Sequence, residues 1–241
     1  HDYIDKNYKL NPDEKKFLKE KTFHGWDIVA EVTRLCAMNM YLHGIGSVES
    51  QVKNADSLIG DPGDRFDVIM TNPPFGKKST VTIFSEEGKA EKESMSYERD
   101  DFWATTSNKQ LNFIQHIKTL LKVNGKCAVV VPDNVLFEGG AGEIIRNKLL
   151  EQCDLHTMLR LPTGIFYAGG VKANVLFFDK KPAREDGKAW TEKLWIYDLR
   201  TNMHFTQKEK KLTRADLDEF VKCYNAADIS KRKEDTTDEK T

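Results

Sequence analysis

The stretch Lys126-Cys127-Ala128-Val129-Val130-Val131-Pro132-Asp133 constrains the fold more than any other part of the chain. An unbroken apolar run of this kind reads as a strand buried on both faces, and such a strand needs helices above and below it. Helices of the right kind flank it. Residues 108–123 predict an amphipathic helix, with Phe113, Ile114, Ile117, Leu120 and Leu121 as its stripe and Asn124-Gly125 as its stop. Residues 142–152 predict another. Upstream, 22–27 reads as a short strand. Residues 28–43 read as a helix with Ile28, Val32, Leu35, Cys36 and Leu42 along one side, ended by Gly44 and Gly46. A short segment at 51–56 and a buried run at 66–71 follow. Downstream, "HTMLRLP" and "ANVLFFDKK" predict two strands joined by a loop at 163–172. Residues 193–200 predict a further strand and 214–224 a last helix. This alternation gives an α/β fold whose sheet is mostly parallel, with a C-terminal antiparallel hairpin.

A chain of 241 residues can bury one substantial core. The sequence divides into a main domain at 1–205 and a C-terminal part at 206–241, a helix and a tail. From residue 229 onward the tail is almost wholly polar, which predicts disorder. The segment 79–107 also breaks the rhythm, being long and rich in Glu, Lys and Ser, yet it contains Phe84, Tyr97, Phe102 and Trp103. It reads as a lid, a contact surface for nucleic acid, or plain disorder. With 31% charged residues and a net charge of -1, the chain has no bulk electrostatic grip on nucleic acid, though a local basic face is compatible with that balance. The four cysteines, Cys36, Cys127, Cys153 and Cys223, lack metal-like spacing and read as reduced, buried thiols of a cytoplasmic protein. The histidines are as scattered, so no metal site is expected. No apolar run has the length of a membrane span.

Ligands of open parallel sheets bind at the carboxyl ends of the strands, and polar groups stand at four of those ends. They are Asp27, Asp56, Asn72 and the Pro132-Asp133-Asn134 turn. Asp27 admits two roles, an acceptor for ribose hydroxyls or a helix cap. Asp56 admits two as well, an acceptor for an adenine amine or a residue of the turn Asn54-Ala55-Asp56-Ser57. The turn Asn72-Pro73-Pro74-Phe75-Gly76 is more demanding. An exocyclic amine on a nucleobase is a poor nucleophile because its lone pair is delocalised into the ring. Two aligned acceptors, one per amine hydrogen, make the nitrogen more tetrahedral and more reactive. The Asn72 side-chain oxygen and the Pro73 carbonyl can be those acceptors. The prolines at 73 and 74 restrict the backbone before each of them and so fix where that carbonyl points. Phe75 supplies a flat face for the ring.

"NPPFG" after a buried strand is similar to the catalytic motif of S-adenosylmethionine-dependent amino-group DNA methyltransferases. "GWDIVAEVTRLCAMNMYLHGI", "VVVPDNVLF", "IRNKLL" and "LRLPTGIFYAGGVKANVLFF" resemble, in order, segments of the modification (M) subunits of type I restriction-modification systems. The resemblance runs over residues 22–181. It implies a Rossmann-like methyltransferase sheet and a cytoplasmic DNA adenine-N6 methyltransferase. That enzyme would act on flipped-out adenine in double-stranded DNA, with specificity (S) and restriction (R) subunits as partners and without a covalent enzyme intermediate. By the same resemblance, Asp27 and Ile28 would meet the cofactor ribose, Asp56 and Ser57 its adenine, and Asn72, Pro73, Pro74 and Phe75 the target base. Phe166 would cover the base from the other side or simply plug the hairpin. Lys77, Lys78 and Lys172 would meet DNA phosphates or only solvent.

One departure stands out. The family's Gly-rich cofactor loop and its preceding strand belong upstream of Asp27, and residues 1–21 do not supply them. The glycine cluster "EGGAGE" follows a late strand and reads as a helix entry. The expectation is therefore a sheet lacking its usual first strand, in a chain incomplete at its N-terminus that holds the cofactor weakly. Two rivals remain: a methyltransferase for a protein glutamine or an RNA base, and a non-catalytic assembly module.

Overall fold

The computed structural model describes residues 1–47, 49–76, 79–84, 90–166, 170–200, 205–226 and 228–232, with the backbone alone at 79–84 and 90–95. The chain divides into two compact units, His1–Gly60 and Asp61–Thr241.

The first unit begins with two helices that the sequence reading did not anticipate, α1 (Asp2–Asn7) and α2 (Pro12–Glu20). Their signal was present in the sequence. Asn11 accepts from the Glu14 N–H at 2.9 Å while Glu14 accepts from the Asn11 N–H at 2.8 Å, a capping box with Pro12 opening the helix. Strand β1 (Gly25–Asp27) is shorter than expected and pairs in parallel with β2 (Val52–Asn54), the two linked by α3 (Ala30–Leu42). Thus β1-α3-β2 is a parallel crossover unit. Its buried residues are few, Leu18, Thr33 and Leu58.

The second unit holds the main core. Its five-stranded sheet has the order β3-β6-β8-β7-β9. The strands are β3 (Phe66–Thr71), β6 (Leu121–Pro132), β7 (Cys153–Leu161), β8 (Ala173–Lys180) and β9 (Trp195–Asp198). Pairings β3·β6 and β7·β9 are parallel, while β8 runs antiparallel to both β6 and β7. Four of the five strands therefore point the same way in a mixed sheet with β8 reversed, and β7-β8 is the expected C-terminal hairpin. Side-chain alternation separates the two faces. Val129, Val131, Leu176 and Phe178 pack under α4 (Lys109–Leu120) and α6 (Ala141–Gln152). Val130, Val175 and Phe177 face the other way, toward a cluster containing Tyr197 and Phe220 of α7 (Asp218–Tyr224).

Two boundaries here differ from expectation for an identifiable reason. Helix α4 stops at Leu120, not at residue 123, and β6 begins at once. The Asn124-Gly125 pair belongs to a bulge in the strand. The ladder slips between Phe66 and Val68, whose partners are Leu121 and Lys126, and Asn124 takes φ 65°. A Cβ on Gly125 would lie 3.0 Å from the Phe66 carbonyl oxygen and 2.9 Å from that of Lys122, so only glycine fits there comfortably.

The 79–107 segment is ordered in large part. It starts with an antiparallel hairpin, β4 (Ser79–Phe84) and β5 (Ala90–Met95), and continues as an irregular strap over α4. Helix α4 is buried on its polar side too, and the strap meets those groups. Gln115 donates to the Ala104 carbonyl at 3.0 Å and accepts from its N–H at 2.9 Å, and Asn112 donates to the Thr106 carbonyl at 2.9 Å. Arg99 forks onto Asp101 at 2.9 and 2.7 Å. The C-terminal stretch is likewise anchored at its start. Residues Ile229–Lys231 form a 3₁₀ turn, and Arg232 donates to the Tyr224 carbonyl at 2.6 Å and stacks over the Trp195 ring. The remaining tail expected to be disordered, 233–241, lies outside the described residues. Among the described residues no helix is long and apolar enough to cross a membrane, and all four cysteines are free thiols, Cys127 and Cys153 buried as expected but Cys36 and Cys223 only half-buried on their helices.

Candidate functional site

In the first unit, the parallel register sets Asp27 level with Asn54, which brings the carboxyl ends of β1 and β2 side by side. Asn54 ties them by donating its side-chain amide to the Asp27 carbonyl at 2.9 Å. The Asp27 carboxylate accepts from the Val29 N–H at 2.8 Å, a local turn that starts the chain toward α3, whose cap position is Val29 itself. Its second oxygen has no protein partner among the described residues. The helix-cap role open to Asp27 is not met, since Val29 holds the cap position and Asp27 serves a turn ahead of it. Asp56 closes a similar turn by accepting from the Leu58 N–H at 2.9 Å. Ile28 is exposed and Ser57 half-buried beside these carboxylates.

In the second unit, Asn72 leaves the carboxyl end of β3 and is exposed, while Pro73 is buried beneath it. The Asn72 side-chain amide makes no hydrogen bond with any described residue. Pro74 closes a tight turn by accepting from the Gly76 N–H at 2.9 Å, which brings Phe75 back over the sheet end. There Phe75 meets Phe166 edge-on, with ring centroids 5.0 Å apart and planes at 76°. The structure thus brings together two residues separated by ninety positions that sequence reasoning had assigned to opposite sides of one ligand. Phe166 also packs on the apolar cluster of Leu161, Tyr197 and Leu199, so the plug reading holds along with the contact to Phe75. Lys172 is exposed at the foot of the same loop. Lys77, Lys78, Tyr167 and Gly169 lie outside the described residues.

Beside the aromatic pair, a polar cluster joins the same ends of β6, β7, β8 and β9. Asp133, just past β6, accepts from Arg200 at 2.6 and 3.2 Å and from the buried Asn174 amide at 2.8 Å. Burial alone would push the Asp133 carboxyl up, but the hydrogen bonds from Arg200 and Asn174 outweigh it and hold the carboxyl below its ordinary range. Arg200 and Asn174 were missed at the sequence level. The available signal was an arginine immediately beyond a strand, in "IYDLR". The glycines of "EGGAGE" start α6, with Gly140 at φ 59° in its cap position, as a helix entry should.

A mixed α/β sheet with an Asn-Pro-Pro-Phe turn at a strand's carboxyl end defines the Rossmann-like methyltransferase class. The chain belongs to the N-6 DNA methylase family, whose model matches residues 3–239. It is 41% identical over 222 residues to the type I restriction enzyme StySPI methylase subunit of Salmonella potsdam, over 89% of this chain and 39% of the relative. The EcoKI methylase subunit of Escherichia coli strain K12 is likewise 41% identical over 222 residues, with 89% and 39% covered. The crystal structure of EcoKI M protein superimposes with a TM-score of 0.74 at 39% identity, covering 92% of this chain and 44% of that one. A chain from a study of complex assembly and conformational transition of the type I R-M system gives a TM-score of 0.76 at 27% identity, covering 96% and 44%. The chain therefore spans about two fifths of the length of the curated relatives it matches.

Proposed function

We propose that the protein is a modification subunit of a type I restriction-modification system, a site-specific DNA adenine-N6 methyltransferase that uses S-adenosylmethionine. The observation that carries this reading is the exposed Asn72 amide at the end of β3, unbonded among the described residues and beside a phenylalanine face. An exposed Asn without protein partners has its oxygen available for a ligand N–H. With the Pro73 carbonyl it offers two acceptors for the two hydrogens of an adenine amine. Such acceptors raise the nucleophilicity of the nitrogen without a strong base.

Phe75 supports the same reading. Stacking a base on an aromatic ring contributes about 1–3 kcal/mol. Extruding a base from a duplex costs a few kcal/mol, so the ring offsets much of that cost. Phe166 stands edge-on to this ring and would border the base. The cofactor, when bound, supplies an electrophilic methyl group. On this chain Asp27, with one carboxylate oxygen unpaired among the described residues, fits a ribose diol, and Asp56 fits an adenine amine, with Ile28 and Ser57 alongside. Lys172, with Lys77 and Lys78, would meet DNA phosphates. Double-stranded DNA and the specificity and restriction subunits are the partners this reading assigns, and the cytoplasm is its compartment.

The test is Asn72→Ala in the intact subunit assembled with its specificity partner. Adenine methylation should fall by about 10²-fold or more. The thermal midpoint should stay put, because the exposed amide bonds to nothing described. Methylation near the parent rate would sink the proposal.

A further inference from the structure

The loop that carries Phe166 leaves β7 at Leu161 and enters β8 at Ala173, and these two residues are partners in the hairpin register. Arg200 grips both feet of that loop. Its Nε donates to the Leu161 carbonyl at 3.0 Å and its Nη2 to the Ala173 carbonyl at 3.1 Å. The same guanidinium forks onto Asp133 and reaches the Asn174 side-chain oxygen at 3.2 Å. Asp133 adds a third hold, its backbone N–H donating to the Lys172 carbonyl at 3.0 Å. The Arg200 side chain is only 15% exposed, so these bonds are made largely away from water, where they hold best. From the other side, Gly164 turns at φ +87° hard against the Phe205 carbonyl, which seats the segment leading to Phe166.

Resting on the reading of Phe75 and Phe166 as faces for the target base, we infer that Arg200 is a positioning residue for adenine methylation. It touches no reacting atom. It sets the loop feet, with Asp133 as its counter-anchor, so that Phe166 is held edge-on beside Phe75 at the place a flipped base would enter. The fork geometry matters, because a lysine ammonium on a flexible stem cannot hold two carbonyls and a carboxylate at fixed angles.

The experiment compares Arg200→Lys, Phe166→Ala and the double variant in the intact subunit with its specificity partner. It follows methylation kinetics, the fluorescence of 2-aminopurine at the target position as a report of base extrusion, and thermal midpoints. Arg200→Lys should lower kcat about tenfold or more. It should weaken the extrusion signal while leaving KM for the cofactor unchanged. The double variant should be no worse than Phe166→Ala alone, because Arg200 acts through Phe166. Asp133→Asn, which keeps the shape and removes the charge, should give a smaller loss with the same non-additivity. Losses that multiply in the double variant would overturn the inference. So would a fall in activity with the extrusion signal intact, a fall in thermal midpoint that alone accounts for the lost activity, or an Arg200→Lys variant at the parent rate. A Phe166→Ala variant at the parent rate would overturn the base-facing role of Phe166 and this inference with it. The methylation reading itself would still stand or fall on Asn72→Ala.

Discussion

Gly164 shows how closely single residues determine this site. A Cβ there would sit 1.9 Å from the Phe205 carbonyl oxygen, on a backbone at φ +87°. Neither the clash nor the backbone strain can be relieved without moving a loop. Gly164→Ala should therefore cost about 1–3 kcal/mol. That corresponds to a fall in thermal midpoint of roughly 2–4 °C per kcal/mol, measured by circular dichroism. An unchanged midpoint would mean that the loop is held elsewhere than at Phe205. Residues of this kind differ in how far sequence reveals them. Asn72 and Phe75 stand out as candidates because their chemistry is local, four consecutive side chains on one turn, and Phe166 stands out as an aromatic between two strand ends. Arg200 does not, because its partners lie 26 to 67 positions away and its only local mark is its place just beyond a strand.

Among the elements, the strap over α4 carries a pH dependence with a definite sign. Burial alone would push the Asp101 carboxyl up, but hydrogen bonds from Arg99 and from Thr119 outweigh it, so it titrates below its ordinary 3.8. Asp133 is depressed in the same way through Arg200 and Asn174. A carboxyl whose folded pKa lies below its unfolded value stabilises the fold above that unfolded value and loses the contribution as pH falls through the folded one. The thermal midpoint should therefore hold between pH 7 and 5 and drop on acidification below about 4. Asp101→Asn should flatten part of that drop, and a slope identical to the parent's would exclude Asp101 as a contributor. The strap also shows why element boundaries were only partly readable. Its backbone partners are the polar side chains Asn112 and Gln115, which sequence periodicity assigns to solvent. Phe102 and Trp103 were the visible hint that 79–107 packs. The α4–β6 junction was misplaced because Leu120, Leu121 and Val123 suit a helix stripe and a strand equally. The β4-β5 hairpin escaped because "AEKESM" lacks the alternation that marks a half-buried strand. By contrast β6, β7 and β8 were plain, since runs so apolar have few other uses.

For the whole molecule, the division into two units sets an expected gradient of stability. The second unit holds fully buried Phe178, Leu111, Val129 and Tyr197, each at 1% exposure or less. The first buries little, and α3 leaves Leu35, Met38, Tyr41 and Leu42 between 59% and 81% exposed. Native-state hydrogen exchange should find α3 amides opening with far lower free energy than those of β6 and β8. Equal protection across both units would refute that ordering. The fold class and strand order follow from patterns the sequence carries, but the number of sheets does not, because pairing is a property of edges and not of residues. Strand β3 illustrates this. In its sheet it pairs with β6 alone, and its Val68 and Met70 side chains are 57% and 78% exposed. Asp67 and the bulge between Phe66 and Val68 interrupt the strand, two devices that hinder a stray extended chain from adding to it in register.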